Sequence, residues 1–220
     1  MLAGQRPRTA PEPPPGGTVE LIARARLAEG LVLDGEGPLV TVVAPDRPGL
    51  FWRVAGTLAL HGLDVVSARA WSSADGFAIE RFRVQSVFGR NPDWLAVESD
   101  LTRVLSGRLS LEARLADRAR TYASSPRPPS AVPPRVEVSV DNDASDSATV
   151  VEVRAPDRIG TLYRITKALA ELELDVRLAK VTSLGHEVVD AFYVVDQEGA
   201  KLTDEDHLRE IQRSIAVHLS

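Results

Sequence analysis

The sequence predicts an α+β protein built from two copies of one small unit with antiparallel sheets. Three observations predict it. Ala44-Pro45-Asp46-Arg47-Pro48-Gly49 returns as Ala155-Pro156-Asp157-Arg158-Ile159-Gly160, 111 residues later, and 12 of 26 positions between 44–69 and 155–180 are identical. Strand and helix periods follow one another in the same order in both copies, and a repeat settles architecture before any local assignment. Ten of the fifteen prolines lie in two stretches, 7–15 and 126–134. Such stretches read as a disordered arm and a semi-rigid linker between the copies.

Taken in order, residues 1–17 are the Pro-rich arm. Thr18 caps a short helix running to Glu29, and Gly30 ends it. Leu39–Ala44 is a β-rich run, and the turn Pro45–Gly49 follows because two prolines and a glycine forbid regular structure. Phe51, Val54, Leu58 and His61 recur at helical spacing, with Gly62 at the exit. Leu63–Trp71 and Phe77–Val87 form a hairpin around Asp75-Gly76. Asn91-Pro92 starts a second helix with the face Trp94, Val97, Leu101 and Val104, and Gly107 closes it.

Leu111–Tyr122 is a further helical stretch near Arg108, Arg114, Arg118 and Arg120, either a solvated basic face or a docking surface for an acidic partner. These elements make up the first module, 18–122; the linker covers 123–135 and the second module 136–220. Copy two repeats the order. Thr149–Ala155 is its first strand, and Leu162, Ile165, Leu169 and Leu172 form a helix face. Leu174–Ser183 and Glu187–Asp196 pair around Leu184-Gly185-His186. One residue dropped at that turn aligns Glu80 with Asp190 and Phe82 with Phe192. Thr203 and Asp206 read as a capping box before the stripe Leu208, Ile211, Ile215 and Leu219. No fourth strand follows. Val136–Val140 is the substitute, closing either copy two or copy one.

Composition excludes several function classes. A net charge of −5 argues against a general nucleic-acid binder, which needs clustered Lys and Arg. No apolar run approaches the roughly 20 residues of a membrane span. The chain has no cysteine and no signal peptide, which fits a cytoplasmic protein.

The repeated turn offers a ligand site in physical terms. Gly49 lets a ligand or backbone approach closely, and the first N–H groups of the helix, from Leu50 onward, lack internal partners and favour a carboxylate. Asp64 and Val65 open the next strand, where the acid suits an ammonium group. Copy two offers Gly160, Thr161 and Leu162 with Asp175 and Val176. A helix N-terminus beside an acid suits a zwitterion. The bland reading stands beside it: Asp46 and Asp157 cap the helices, the glycines make the turn, and Asp64 and Asp175 bind nothing. The copies differ at Pro48/Ile159, Leu50/Thr161 and Gly62/Glu173, and losing Gly62 changes the helix exit beside Asp175. Copy one is therefore the stronger candidate.

The motifs Val42–Leu50, His61-Gly62-Leu63-Asp64-Val65 and Asp190-Ala191-Phe192-Tyr193-Val194 resemble those of ACT domains, over about 39–106 and 136–220. ACT domains are small ferredoxin-like βαββαβ modules that sense amino acids. The tandem is similar to the C-terminal region of the bacterial protein-PII uridylyltransferase/uridylyl-removing enzyme. The resemblance implies glutamine as ligand, bound at the interface of two ACT units. It places the ligand at Asp46, Arg47, Gly49 and Leu50 with Asp64 and Val65, and at Asp157, Arg158, Gly160, Thr161 and Leu162 with Asp175 and Val176. It implies, as partners, the catalytic domains of a parent enzyme or another ACT chain, including a homodimer; charge and hydropathy add no nucleic acid and no membrane.

Neither a Gly-Ser pair upstream of paired aspartates nor a His-Asp dipeptide occurs, and the four histidines lack metal spacing. No P-loop and no G-x-G-x-x-G is present. The sequence therefore predicts a sensor with no catalytic role, no metal and no cofactor. Its rivals are a ligand-free interaction module and a direct enzyme.

Overall fold

The structure is a computed structural model that describes residues 14, 16–28, 30–87, 89–123, 135–184 and 187–220. Most of the Pro-rich arm and most of the linker lie outside the described residues, as do Gly185 and His186 of the second hairpin turn.

Among the described residues the chain runs α1 (Thr18–Leu27), β1 (Val32–Glu36), β2 (Leu39–Pro45), α2 (Leu50–Leu60), β3 (Leu63–Ser72), β4 (Phe77–Ser86), α3 (Trp94–Leu105) and α4 (Leu111–Ala123). It continues as β5 (Glu137–Asp141), β6 (Thr149–Pro156), α5 (Thr161–Glu171), β7 (Asp175–Lys180), β8 (Ser183–Leu184), β9 (Glu187–Val195) and α6 (Glu205–Leu219). The strands join one antiparallel sheet in the order β1-β2-β4-β3-β7-β9-β6-β5, with β8 paired to β9. The architecture is thus α+β, and each half is a ferredoxin-like four-stranded unit.

The expected missing strand is supplied in both halves from the N-terminal side. β5 pairs with β6, so the 136–140 segment completes copy two. β1, which the sequence reading passed over, completes copy one by pairing with β2. Gly37, at φ 54, sits in the connecting turn. Gly35 in β1 makes room for Trp94, because a Cβ there would lie 2.4 Å from the indole Cγ.

Three end assignments shift. Thr18 is the first helical residue of α1, and Gly17 stands at the N-cap without a side-chain bond. The C-cap is Ala28, not Glu29. In α6 the cap is Asp204, whose carboxylate accepts from the amides of Asp206 at 2.7 Å and His207 at 2.9 Å. A carboxylate caps more strongly than the Thr203 hydroxyl, so the helix starts one residue later than a Thr203 box requires.

The halves meet at their equivalent strands. Ala68 of β3 pairs with Ala179 of β7, its own repeat counterpart, flanked by Ser67–Lys180 and Arg69–Leu178. A pseudo-two-fold axis therefore passes through the seam. Above it α2 packs on α5, where Trp52 meets its counterpart Tyr163 edge-on at 5.6 Å. Gly56 permits this approach, since a Cβ there would lie 2.7 Å from the Tyr163 ring. Leu111 and Leu115 of α4 are buried in the same cluster as Tyr163, so α4 straps the two helices together. That is the role of its apolar edge, beyond either reading of its arginines.

Inward rows Val40-Val42-Ala44 and Val151-Val153-Ala155 are buried beneath the helices. Phe82 and Phe192 are fully buried at matching register, opposite Ala68 and Ala179. Each contributes roughly 2–3 kcal/mol of burial. α1 covers the opposite face of the first half, burying Ala25 against Val43 and Ile79. Among the described residues no helix is long and apolar enough to cross a membrane.

Candidate functional site

Gly49 (φ 78) and Gly160 (φ 82) are the N-caps of α2 and α5, both left-handed and without side-chain capping bonds. That conformation favours glycine, and it turns the chain from strand into helix within four residues. Asp46 and Asp157 do not cap these helices; the Leu50 and Thr161 amides donate instead to the Arg47 and Arg158 carbonyls, at 3.3 and 3.0 Å, and it is the next amides of each first turn that keep a demand for an acceptor. The turn of copy two carries an extra tie. Thr161 Oγ1 donates to the Pro156 carbonyl at 3.2 Å and accepts from the Arg158 amide at 3.3 Å.

The fold crosses the expected partners. Asp46, Arg47, Gly49 and Leu50 line a cleft of about 50 Å³ together with Asp175 and Val176 of the other module. Asp157, Arg158, Gly160, Thr161 and Leu162 line a second, also of about 50 Å³, with Asp64 and Val65. Each turn therefore faces the acid of the opposite copy, not that of its own. The cause is the β3–β7 seam, which carries the start of each second strand under the neighbouring module's helix. Matching irregularities in register, between Val65 and Ser67 and between Val176 and Leu178, lie just beyond the two acids. Such bulges re-aim side chains at a strand's end.

The electrostatics follow the same crossed pairing. Burial raises the Asp64 carboxyl above its ordinary value and Asp157 raises it further, while Arg118 of α4 draws it down. Burial also raises Asp175, Arg177 opposes it, and Asp46 adds to it. Acids gathered so that Asp64 and Asp175 resist ionisation form a site that welcomes a cationic group.

Two residues passed over as site candidates form the cleft floors. Glu80 lies in the first cleft and Asp190 in the second. They are register equivalents, opposite Val42 and Val153 on the first strand of each copy. Glu80 is 3% exposed and Asp190 1%. Burial drives Glu80 well above the usual carboxylate range, with Asp46 and Asp175 adding to the effect. Burial lifts Asp190 to about 7 against the Thr182 amide bond, and Asp157 adds to the rise. The sequence signal was present: one acid interrupts each inward row, Ala78-Glu80-Phe82-Val84 and Val188-Asp190-Phe192-Val194.

A larger cavity, about 280 Å³, opens on the other side of Gly160, between α4 and α5, and is lined by Glu112, Ala116, Tyr163 and Lys167. The remaining candidates have local partners. His61 Nε2 lies 3.1 Å from Asp100 Oδ2, and His218 Nε2 lies 3.0 Å from Glu171. Among the described residues no cluster of His, Asp and Glu could hold a metal ion.

Comparison with known proteins gives consistent matches. The ACT domain profile matches residues 39–92, and that of the ACR family N-terminal ACT domain matches residues 144–219. The bifunctional uridylyltransferase/uridylyl-removing enzyme of Azospirillum brasilense is 41% identical over 181 residues, covering 80% of this chain and 19% of that protein. That of Streptomyces coelicolor is 39% identical over 182 residues, covering 79% of this chain and 21% of that protein. The chain spans about a fifth of the length of these curated relatives. Among solved structures, an aspartate kinase from Synechocystis is 17% identical with a TM-score of 0.30, covering 73% of this chain and 24% of that one.

Proposed function

Since the chain belongs to the ACT-domain family, with one ACT domain on each side of the β3–β7 seam, we propose that it senses a free amino acid, glutamine before others. The sensing module would control uridylylation and deuridylylation of protein PII, in the cytoplasm, as the regulatory part of a longer enzyme. Module one would run from 18 to 122, residues 123–135 would link, and module two would run from 136 to 220. The chain itself would carry no catalytic group.

One observation carries this reading: each cleft is made by the turn of one module and the acid of the other. A zwitterion seated there places its carboxylate on the free amides of α2 or α5 and its ammonium between the rim acids. It therefore touches both modules at once. Clefts of about 50 Å³ are narrow for an amino acid, so occupation parts the modules at the rim. The seam that must yield is short, three residue pairs and the bond from the Val181 amide to the Val66 carbonyl at 3.1 Å. Binding that favours one module arrangement transmits about 1–3 kcal/mol of coupling to attached domains. The second ACT unit that each cleft needs is present in the same chain, so a homodimer is not required to complete either site.

Calorimetry with glutamine tests the proposal. The expected result is measurable heat with a matching rise in thermal midpoint. No heat and no thermal shift at millimolar glutamine or any other free amino acid overturns it in favour of a ligand-free interaction module.

A further inference from the structure

Each cleft has a floor that the zwitterion leaves unused. Glu80 Oε2 and Asp190 Oδ2 are buried and have no hydrogen-bond partner. Asp190 Oδ1 accepts only a long bond from the Thr182 amide, at 3.4 Å. A buried polar atom left unpaired costs stability, and a valine in the same row would avoid it. The two acids project from the sheet beneath the helices, in the rows that hold Phe82 and Phe192. The rim acids Asp46 and Asp175, or Asp157 and Asp64, are more exposed. Rim and floor therefore suit different ends of a ligand. A charged ammonium stays at the wetter rim, and the end that reaches the floor must be neutral.

We infer that Glu80 and Asp190 are the specificity-determining groups of the two clefts: each pairs with the side chain of the bound amino acid, accepting a primary amide and refusing the corresponding acid. This rests on the amino-acid-sensing reading. A neutral carboxyl group offers one O–H and one carbonyl oxygen, and a primary amide offers one N–H and one carbonyl oxygen in the mirror arrangement. The two close a ring with two hydrogen bonds. A ligand carboxylate at the same depth has no N–H to return to the carbonyl oxygen of the floor acid, and it meets two rim acids of its own sign. Arg47 and Arg177 at the first cleft, and Arg158 at the second, temper that repulsion from the edge. Burial raises the Glu80 carboxyl well above the usual carboxylate range, the direction that favours the protonated partner this ring requires.

The test measures selectivity, not affinity alone. Glutamine and glutamate are titrated into the wild-type chain, the double variant Glu80→Gln/Asp190→Asn, and Glu80→Leu/Asp190→Leu. The wild type should prefer glutamine by about a hundredfold or more. The amide double variant keeps both a donor and an acceptor, so it should hold glutamine within about threefold while its preference over glutamate falls about tenfold. The leucine variant should lose glutamine affinity about tenfold or more while unfolding no earlier than the wild type. A wild type that binds no amino acid defeats the sensing reading itself. A wild type that binds glutamine but discriminates no better than the amide variant, or a folded leucine variant with unchanged affinity, overturns this inference alone.

Discussion

In the first module the glycine corner is closed by the module's own side chains; in the second it stands open. A Cβ at Gly49 would lie 2.3 Å from Trp52 Nε1 and 2.6 Å from Arg53 Nη1. The Arg53 guanidinium stacks on the Trp52 indole at 4.0 Å and donates to the carbonyls of Pro48 and Gly49. At Gly160 the nearest atom is Leu115 Cδ1 at 3.7 Å, and the 280 Å³ cavity begins there. The turn is nearly the same phrase in both copies. What differs is the residue three places on: tryptophan folds back over its glycine, whereas Tyr163 turns away under α4. A shared motif fixes the backbone, and its neighbours decide access. The first copy, favoured by its glycines, is thus the more covered of the two.

The cleft floors give the largest expected effect and set the two copies side by side. Asp190 titrates near 7 when folded and near 3.8 when unfolded. Between those values the folded chain holds a proton that the unfolded chain has released. Stability from this group therefore falls as pH rises from about 4 to 7 and levels off above. Asp190→Asn should remove the penalty, stabilising the free chain by up to about 4 kcal/mol at pH 8 and by little at pH 4. Burial raises the Glu80 carboxyl in the same direction, so Glu80→Gln should also stabilise more at pH 8 than at pH 4. Urea unfolding of each variant at the two pH values measures this. A gain for either variant that is the same at pH 4 and pH 8 would show that its acid is not held protonated.

Where the helices meet, the copies differ by design of volume. Gly56 of α2 corresponds to Lys167 of α5, whose ammonium reaches Glu112 of α4 at 3.4 Å. At Gly56 a Cβ would meet both Tyr163 and Leu111, at 2.7 and 2.9 Å, and both belong to other elements. Glycine inside a helix ordinarily costs about 1 kcal/mol relative to alanine. Here the contact outweighs that cost. Gly56→Val should destabilise by about 1–3 kcal/mol through overpacking at the α2–α5 seam. A stability equal to wild type, in the same unfolding assay, would mean that α2 and α5 slide freely and that the seam is not tightly packed.

Much of this was legible in the chain. Strands and helices announced themselves because the apolar period changes from two to nearly four at Phe51 and again at Leu63. The repeat offset and the single dropped residue align Glu80 with Asp190 in the sequence alone. β1 was not legible, because Val32-Leu33-Asp34-Gly35-Glu36 alternates poorly and holds a glycine whose purpose, space for Trp94, lies 59 residues away. The crossed clefts were not legible either. Sequence order puts Asp64 next to the first turn, and only the pairing of β3 with β7 hands it to the second. Covalent proximity and spatial proximity part company wherever two repeats exchange edges.

The smallest effect concerns the helix exits, where the copies were expected to diverge. Glu173 stands where copy one has Gly62, and its substitution suggested an altered exit beside Asp175. The backbone is instead the same: Gly62 has φ 70 and Glu173 has φ 59, the lone positive φ of a non-glycine among the described residues. Packing of Leu174 and Val176 into the core holds that turn despite the side chain. An L-residue in the left-handed region costs roughly 1 kcal/mol, and Glu173 is exposed, so nothing beyond the backbone opposes replacement. Glu173→Gly should therefore stabilise by about 0.5–1 kcal/mol, and Gly62→Ala should destabilise by about 1 kcal/mol. Opposite signs of similar size, read from thermal midpoints, would show that the two exits share one geometry and differ only in what that geometry costs. Equal signs would show that Glu173 makes up its strain through a contact in solution, and the equivalence of the two exits would fail.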